Sequence, residues 1–146
     1  MIMELKLFKQ FDKSCSLNIN DIKQKIPKTA GVYVITAEQP FERLAGKDRR
    51  GILYIGEGQN LRTRIEQFIK DIEEKGVNRK RHSAGRTYRI YFRDNKDAKL
   101  KLNPVNFKVH WKSTKHFDTQ ETRLIKEYVK TFQDKPPLNI SIKRKK

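Results

Sequence analysis

The stretch GVYVITAEQPFERLAGKDRRGILYIGEG, residues 31–58, decides how this chain folds. Its two ends, GVYVITA (31–37) and GILYIGEG (51–58), are rich in β-branched and aromatic residues, which favour strands. The charged segment AEQPFERLAGKDRR between them is typical of a loop. Because strands that are close in sequence usually pair, we predict an antiparallel pair joined by this long loop.

Two helices are predicted from apolar residues at helical spacing, one after the second strand and one near the C-terminus. The first begins after Asn60, whose side chain suits an N-cap, and stops at Gly76. The second begins after Asp118 and ends before Pro136. Their apolar stripes consist of Leu61, Ile65, Phe68, Ile69 and Ile72 in the first helix and Leu124, Ile125, Tyr128, Val129 and Phe132 in the second.

Two further strands are predicted between the helices, because RTYRIYF (86–92) and VNFKVHW (105–111) alternate in polarity. In the second of these, alternate residues from Val105 to Trp111 share one face. Residues 1–26 form a lead-in with a short helical turn, and residues 140–146 form a basic tail. We therefore predict one α+β domain over the whole chain, with a small central antiparallel sheet flanked by helices.

The charge of the chain points to a polyanionic partner. Its 146 residues include 34 Lys and Arg against 17 Asp and Glu, which gives a net charge of +17. Nucleic acid is the first partner that this charge indicates, although a generally lysine-rich proteome would also produce it. The single cysteine, Cys15, excludes an intramolecular disulfide and a cysteine zinc site and fits a reducing cytoplasm. No apolar run approaches the length needed to cross a bilayer, so we expect no membrane partner.

Glu121 occupies an unusual position for a carboxylate. On a helical wheel it falls within the apolar stripe of the second helix rather than on its polar face. A charge in such a position needs a metal, a cation or a hydrogen-bonding partner. A capping box is the alternative interpretation, since Asp118 and Glu121 have the required spacing. The spacing alone leaves both open.

Four other residues are candidates for chemistry, and each has an ordinary structural alternative. Arg64 lies at the edge of the first helix's apolar stripe, where it could bind phosphate or simply cover apolar surface with its stem. Tyr33 and Tyr54 stand in the first two strands, where tyrosines commonly serve the core. His82 follows a run of cations and could be an ordinary surface residue.

Taken together, these residues resemble the GIY-YIG nuclease family. The matching features are GVY (31–33), YIG (54–56), NLRTRI (60–65), Glu121 in ETRLIKEY and Asn139 in PPLN. They occur in the family's order and span most of the chain. The family includes phage homing endonucleases, some restriction enzymes and the incision subunit of bacterial nucleotide excision repair, so the resemblance implies a prokaryotic, phage or mobile-element context.

The resemblance assigns catalytic roles by position. Tyr33 and Tyr54 correspond to the paired tyrosines, Arg64 to the catalytic arginine, and Glu121 to the carboxylate that holds one Mg²⁺ or Mn²⁺ ion. His82 is similar to a histidine that several members carry after the first helix. One tyrosine would act as general base on the attacking water, which requires its pKa to fall near the cations. His82 is the alternative base or proton relay.

Other residues are expected to support the site or to bind the substrate. The resemblance makes Gly31, Gly56 and Asn139 supporting residues of the site. The predicted substrate is DNA, held largely by cationic side chains. The expected nucleic-acid-binding residues are Arg62, Arg79, Lys80, Arg81 and Arg86.

Three features depart from the family pattern. The loop between Tyr33 and Tyr54 is longer than usual, which implies an elaborated loop near the site. Glu57 follows YIG directly where repair-type members carry lysine, and this removes one cation from the expected pocket. The separation of Glu121 and Asn139 is also longer than in repair-type members.

The sequence supports three hypotheses about function. The first is a metal-dependent endonuclease that hydrolyses DNA phosphodiester bonds at one site per chain, with a dimer possible if both strands are cut. The second is a catalytically inactive nucleic-acid-binding module on the same scaffold. The third is a basic RNA-binding or ribosome-associated protein. Metal-dependent nicking of plasmid DNA separates the first from the others.

Overall fold

The computed structural model describes residues 6–11, 13–73 and 83–139. Gly76 lies outside these residues. Within them, no helix is long and apolar enough to cross a membrane. The regular elements in these ranges are β1 (Lys13–Ser16), α1 (Ile19–Lys25), β2 (Gly31–Thr36), β3 (Phe41–Arg43), β4 (Gly46–Asp48), β5 (Ile52–Gly58), α2 (Leu61–Glu73), α3 (Ser83–Tyr88), β6 (Lys108–Ser113) and α4 (Phe117–Phe132).

Four strands form one antiparallel sheet in the order β1-β6-β2-β5. Strand β2 lies in the interior of the sheet, where Tyr33 pairs with Gly56 of β5 on one side and with Trp111 of β6 on the other. All six residues of β2 are buried, because it has a strand on each side and helices over both faces. The predicted α+β fold, a small antiparallel sheet flanked by helices, is confirmed.

The sheet separates two apolar cores. Alternate residues of β2 point to opposite faces, so Tyr33 and Ile35 belong to one core while Val32 and Val34 belong to the other. Helices α1, α2 and α3 contribute to the first core, and α4 covers the second. As a result, α2 and α4 lie on opposite faces of the same sheet.

Both predicted helices are confirmed, with one change at a boundary. Helix α2 begins at Leu61, and the Asn60 side chain caps it by accepting a hydrogen bond from the Thr63 amide at 3.1 Å. Helix α4 begins at Phe117 and ends at Phe132, ahead of Pro136. Its start therefore precedes Asp118, which was expected to lie before it.

The strand predicted over residues 86–92 is wrong. This segment belongs to α3 and to a π-helical turn, Arg89–Arg93, that continues it. Its alternation is overridden by packing against α2, where a Cβ on Gly85 would come within 2.5 Å of the Asp71 Cβ. Glycine thus allows the two helices to approach closely. The fourth strand is instead β1, from the lead-in.

Strand β6 is shorter than predicted at its start. It begins at Lys108, and Val105 lies in a preceding 3-10 turn with 85% of its surface exposed. Val105 was expected on the apolar face and is not there. Phe107, Val109 and Trp111 are buried as predicted.

The segment predicted as a loop between the first two strands contains a hairpin of β3 and β4. This hairpin contacts the C-terminal end of α4, where the Ala45 amide donates to the Phe132 carbonyl at 2.9 Å. Phe132 is eleven positions after Glu121, about 16 Å along the helix axis. The loop is therefore attached to the end of α4 that is away from Glu121, and the expectation that it lies near the site stays a prediction.

Candidate active site

Two tyrosine rings from neighbouring strands lie at the centre of the candidate site. The ring centroids of Tyr33 and Tyr54 are 6.0 Å apart, with an angle of 51° between the rings. Gly56 pairs with Tyr33 across the sheet, and a Cβ there would lie 2.5 Å from both Tyr33 Cζ and Tyr54 Cε2. Both tyrosine rings therefore pack over Gly56, the glycine of YIG.

Burial determines the protonation state of Tyr33 and Tyr54. Tyr33 is completely buried, and burial raises its pKa well above the usual value. Tyr54 is half-buried, and burial raises its pKa to about 12 even though the Arg64 guanidinium and the Ser83 hydroxyl act to lower it. The expected lowering of a tyrosine pKa is not seen, because desolvation outweighs the cation. Both phenols are protonated at neutral pH.

Arg64 reaches this pair from α2. A Cβ on Gly58 would lie 3.3 Å from the Arg64 Cβ, so the arginine stem crosses the end of β5 at a glycine. Its Nη1 donates to Gln67 Oε1 at 3.2 Å, and its charge lowers the pKa of both Tyr33 and Tyr54. The half-buried guanidinium is therefore held beside the phenols rather than free in solvent.

Glu121, on α4, adds a negative charge that acts to raise the pKa of both tyrosines. Burial, then the neighbouring Glu57 and Asp118 carboxylates, raise its pKa to about 7, while Arg64 acts in the opposite direction. The capping-box interpretation is wrong, because α4 begins at Phe117 and Asp118 lies inside the first turn. Glu121 is thus a half-buried carboxylate without the capping role that would explain it.

Glu57 adds a carboxylate where a cation would be expected from the resemblance. Its Oε2 atom is buried, and no donor among the described residues reaches it. Burial raises the Glu57 pKa, and repulsion from the Asp118 carboxylate raises it further. The site therefore concentrates negative charge around Glu121.

The donor set fits a hard divalent cation. Carboxylate oxygens suit Mg²⁺ and Mn²⁺, and Mg²⁺ retains most of its water while binding one or two protein carboxylates. Within the part of the chain that the structure describes, no group of three or more His, Cys, Asp or Glu side chains is placed to enclose a metal. A cation at Glu121 would thus be held by few protein ligands and would offset the repulsion that acts on Glu57.

Asn139 and Gly31 hold the framework of the site. The Asn139 side chain accepts a hydrogen bond from the Ile55 amide at 3.0 Å and donates to the Ile55 carbonyl at 2.9 Å. It thereby pairs with the free edge of β5 next to Tyr54. A Cβ on Gly31 would lie 2.3 Å from the Lys112 carbonyl oxygen, so glycine permits close contact at the start of β2.

The structure describes two of the five predicted nucleic-acid-binding residues, Arg62 and Arg86. Arg62 donates from Nε to the Ile26 carbonyl at 2.7 Å, which joins α2 to the end of α1. Arg86 is half-buried in α3. Four residues named from the sequence lie outside the described residues: Arg79, Lys80, Arg81 and His82.

Two residues at the site were not found from the sequence. Ser83 hydrogen-bonds Tyr54, and Asp118 faces Glu57. Asp118 could have been found from its position three residues before Glu121, which places both on one side of a helix. No local signal marks Ser83.

Comparison with known proteins does not assign this chain to a family. No protein-family model, no curated protein and no solved structure matches it.

Proposed function

We propose that this chain is a metal-dependent endonuclease that hydrolyses DNA phosphodiester bonds, as the GIY-YIG nucleases that it resembles do. One observation carries the proposal. Arg64 and Glu121 come from helices on opposite faces of the sheet, and both act on the hydroxyl groups of Tyr33 and Tyr54. A cation, a half-buried carboxylate and two phenols thus meet at one end of β5.

Each of these groups has a role in phosphodiester hydrolysis. Arg64 would donate two parallel hydrogen bonds to the scissile phosphate and stabilise its developing negative charge. Glu121 would hold the divalent ion, which supplies charge stabilisation at the leaving oxygen. Tyr54, the more exposed phenol, would contact the attacking water, and Tyr33 would position Tyr54 from beneath.

DNA is the proposed partner because the chain carries a net charge of +17. Each phosphate that the protein neutralises adds about 0.9 to the slope of log affinity against log salt concentration for duplex DNA. Binding should therefore weaken steeply as salt increases. A slope near zero would contradict an electrostatic interface.

A catalytically inactive DNA-binding module is the second candidate, and one observation favours it. Glu57, Asp118 and Glu121 lie around a single Arg64, so without a cation the site would repel phosphate. On this hypothesis the protein binds DNA through its basic surface and never cuts it. Only a measurement of cleavage separates the two candidates.

The experiment is plasmid nicking in Mg²⁺ or Mn²⁺ by the wild type and by the Glu121→Gln and Arg64→Ala variants. Glu66→Gln on α2 is the matched control, because it removes the same charge from a helix. We expect the first two variants to lose cleavage while thermal melting and DNA affinity in chelator change little. Cleavage by Glu121→Gln at the wild-type rate would rule out the metal-ligand role, and a wild type that binds but never nicks would support the inactive module.

A further inference from the structure

We propose that Glu57 is a second carboxylate ligand of the divalent ion, which β5 and α4 hold between Glu57 and Glu121. The inference rests on the proposed function, since it takes the ion at Glu121 from there. It concerns a position at which this chain departs from the family that it resembles. Three features carry it: where Glu57 lies, an oxygen of its side chain that lacks a partner, and the exposure of the neighbouring Asp118.

Glu57 lies on the face of the sheet that α4 covers. It is directly opposite Val32 of β2, and residues directly opposite each other in an antiparallel pair point to the same face. Val32 packs in the same core as Leu124 of α4. Leu124 is three positions after Glu121, so these two side chains are neighbours on one side of the helix. Glu57 and Glu121 therefore lie close together, where the start of α4 passes over the end of β5.

The electrostatics of the two glutamates agrees with this placement. Burial and then the Glu57 carboxylate raise the pKa of Glu121 to about 7, and Glu57 has a larger effect there than Asp118. Asp118 is on the same helix as Glu121, whereas Glu57 is on a different element. Two carboxylates from β5 and α4 thus face each other.

One oxygen of Glu57 lacks a partner. Its Oε2 atom is buried, and no hydrogen-bond donor among the described residues reaches it. The Arg64 Nη1 atom donates to Gln67 Oε1 at 3.2 Å instead. Burying a carboxylate oxygen without a donor or a cation is costly, because its hydration is lost and not replaced. A bound cation or a proton would remove this cost, and the two predict different effects of Glu57→Gln.

The exposure of Asp118 separates it from the two glutamates. Asp118 is exposed, so water solvates its carboxylate, whereas Glu57 and Glu121 are half-buried. In the ranges that the structure describes, no group of three or more His, Cys, Asp or Glu side chains is placed to enclose an ion. Mg²⁺ is usually bound by one or two carboxylates and keeps several of its waters. A pair of glutamates therefore matches what such an ion requires and balances its charge.

A shared ion also changes what the site offers to a phosphate. Without the ion, the carboxylates of Glu57, Asp118 and Glu121 surround the Arg64 guanidinium. With the ion bound, the two glutamates are neutralised, and the charge of Arg64 is left to act on the scissile phosphate. The carboxylate of Glu57 thus brings positive charge to the site through the ion that it holds.

The test is the affinity for Mn²⁺, measured from the electron paramagnetic resonance signal of the free ion. The wild type is compared with Glu57→Gln and with Asp118→Asn, which removes a neighbouring charge without removing a proposed ligand. Glu66→Gln on α2 makes the same chemical change at another half-buried glutamate. We expect Glu57→Gln to weaken Mn²⁺ binding roughly tenfold or more beyond Asp118→Asn, since loss of a group that merely orients a ligand already costs about ten- to a hundredfold. The rise in melting temperature on adding Mn²⁺ should be smaller in Glu57→Gln than in the wild type.

Two further measurements show that these effects come from the carboxylate. Melting curves in chelator check that each variant folds, and Glu57→Gln should not melt lower there, because the carboxylate that it removes lacks a partner. Glu57→Asp keeps the carboxylate and should bind Mn²⁺ more tightly than Glu57→Gln. The reverse order of these two variants would overturn the inference.

The outcomes for Mn²⁺ binding and for cleavage can be told apart. Equal affinities of Glu57→Gln and Asp118→Asn would mean that Glu57 acts only through its charge, and an affinity of Glu57→Gln equal to that of the wild type would mean that a proton satisfies Oε2. Either result overturns the inference, and the proposed function would stand if the wild type nicks plasmid. If both glutamates bind Mn²⁺ but the wild type never nicks, the inference stands and the proposed function fails. A wild type that does not bind Mn²⁺ would remove both proposals.

Discussion

Gly56→Ala is the most direct perturbation of the tyrosine pair. The added Cβ would lie 2.5 Å from Tyr33 Cζ and Tyr54 Cε2 and 2.7 Å from the Tyr33 hydroxyl oxygen, whereas ordinary contacts begin at 3.4 Å. The rings must move by about 0.9 Å, and Tyr33 is completely buried. Overpacking of this kind costs about 1–3 kcal/mol, or a fall in melting temperature of about 3–10 °C for a domain of this size.

Activity should suffer more than stability. A displacement of about 1 Å in a catalytic group can reduce the rate about a hundredfold. Gly58→Ala on the same strand is the matched control for stability and for the tyrosine spectra, because its Cβ would meet the Arg64 Cβ at 3.3 Å and neither tyrosine ring. We expect that control to change stability by less than about 1 kcal/mol, since the contact is only slightly short and alanine reduces the entropy of the unfolded chain.

Urea unfolding, near-ultraviolet circular dichroism and plasmid nicking would measure the two effects separately. The dichroism reports the environment of Tyr33 and Tyr54. Urea unfolding gives the free energy of unfolding, and this measurement does not depend on whether the chain is a nuclease. If Gly56→Ala and Gly58→Ala have equal stability and equal tyrosine spectra, the packing of both rings over Gly56 is not as described.

Three further predictions concern stability and pH. Tyr128→Phe removes the buried hydrogen bond of 2.8 Å to Asp48 and should cost about 1.5–3 kcal/mol in urea unfolding, and a loss near zero would mean that this bond does not hold the hairpin. The pKa of His110 is lowered to about 4, first by burial, whereas the unfolded chain titrates near 6.5. Because the folded chain binds fewer protons at His110, this group should lower the stability by up to roughly 3 kcal/mol as the pH drops from about 6.5 to 4. The raised pKa of Glu121 acts in the opposite direction over the same range, so the slope is measured as the difference in stability between the wild type and His110→Gln. If Tyr54 deprotonates the attacking water, its pKa of about 12 means that the nicking rate should rise with pH well beyond 8, and Tyr54→Phe should abolish the rise. A plateau above about pH 7 would favour His82 as the base instead.

Local patterns predicted the central elements well. Strands β2 and β5 and helices α2 and α4 were found because their periodicity reflects burial on one face or both, which a short segment records in its own residues. The Asn60 cap was found for the same reason, since capping depends on residues three positions apart. Failures occurred where distant contacts decide the structure.

Packing between distant segments explains those failures. Residues 86–92 alternate like a strand, yet contact with α2 at Gly85 makes them helical. Strand β1 has four residues with one buried, so its own pattern is too weak to predict it, and pairing with β6 creates it. The β3–β4 hairpin depends on Asp48 bonding to Tyr128, which no local sequence pattern can show.

By itself, the sequence determined the α+β class, the main helices and strands, and the set of residues that resembles a GIY-YIG nuclease, because each of these is recorded in residue type and short spacing. Only the tertiary structure decided that Arg64 and Glu121 act on one pair of phenols from opposite faces of the sheet. It also decided that Glu57 adds negative charge beside Glu121 and that burial keeps both tyrosines protonated. The physical reason is that a pKa depends on desolvation and on charges brought near through space, and neither is fixed until distant parts of the chain pack together.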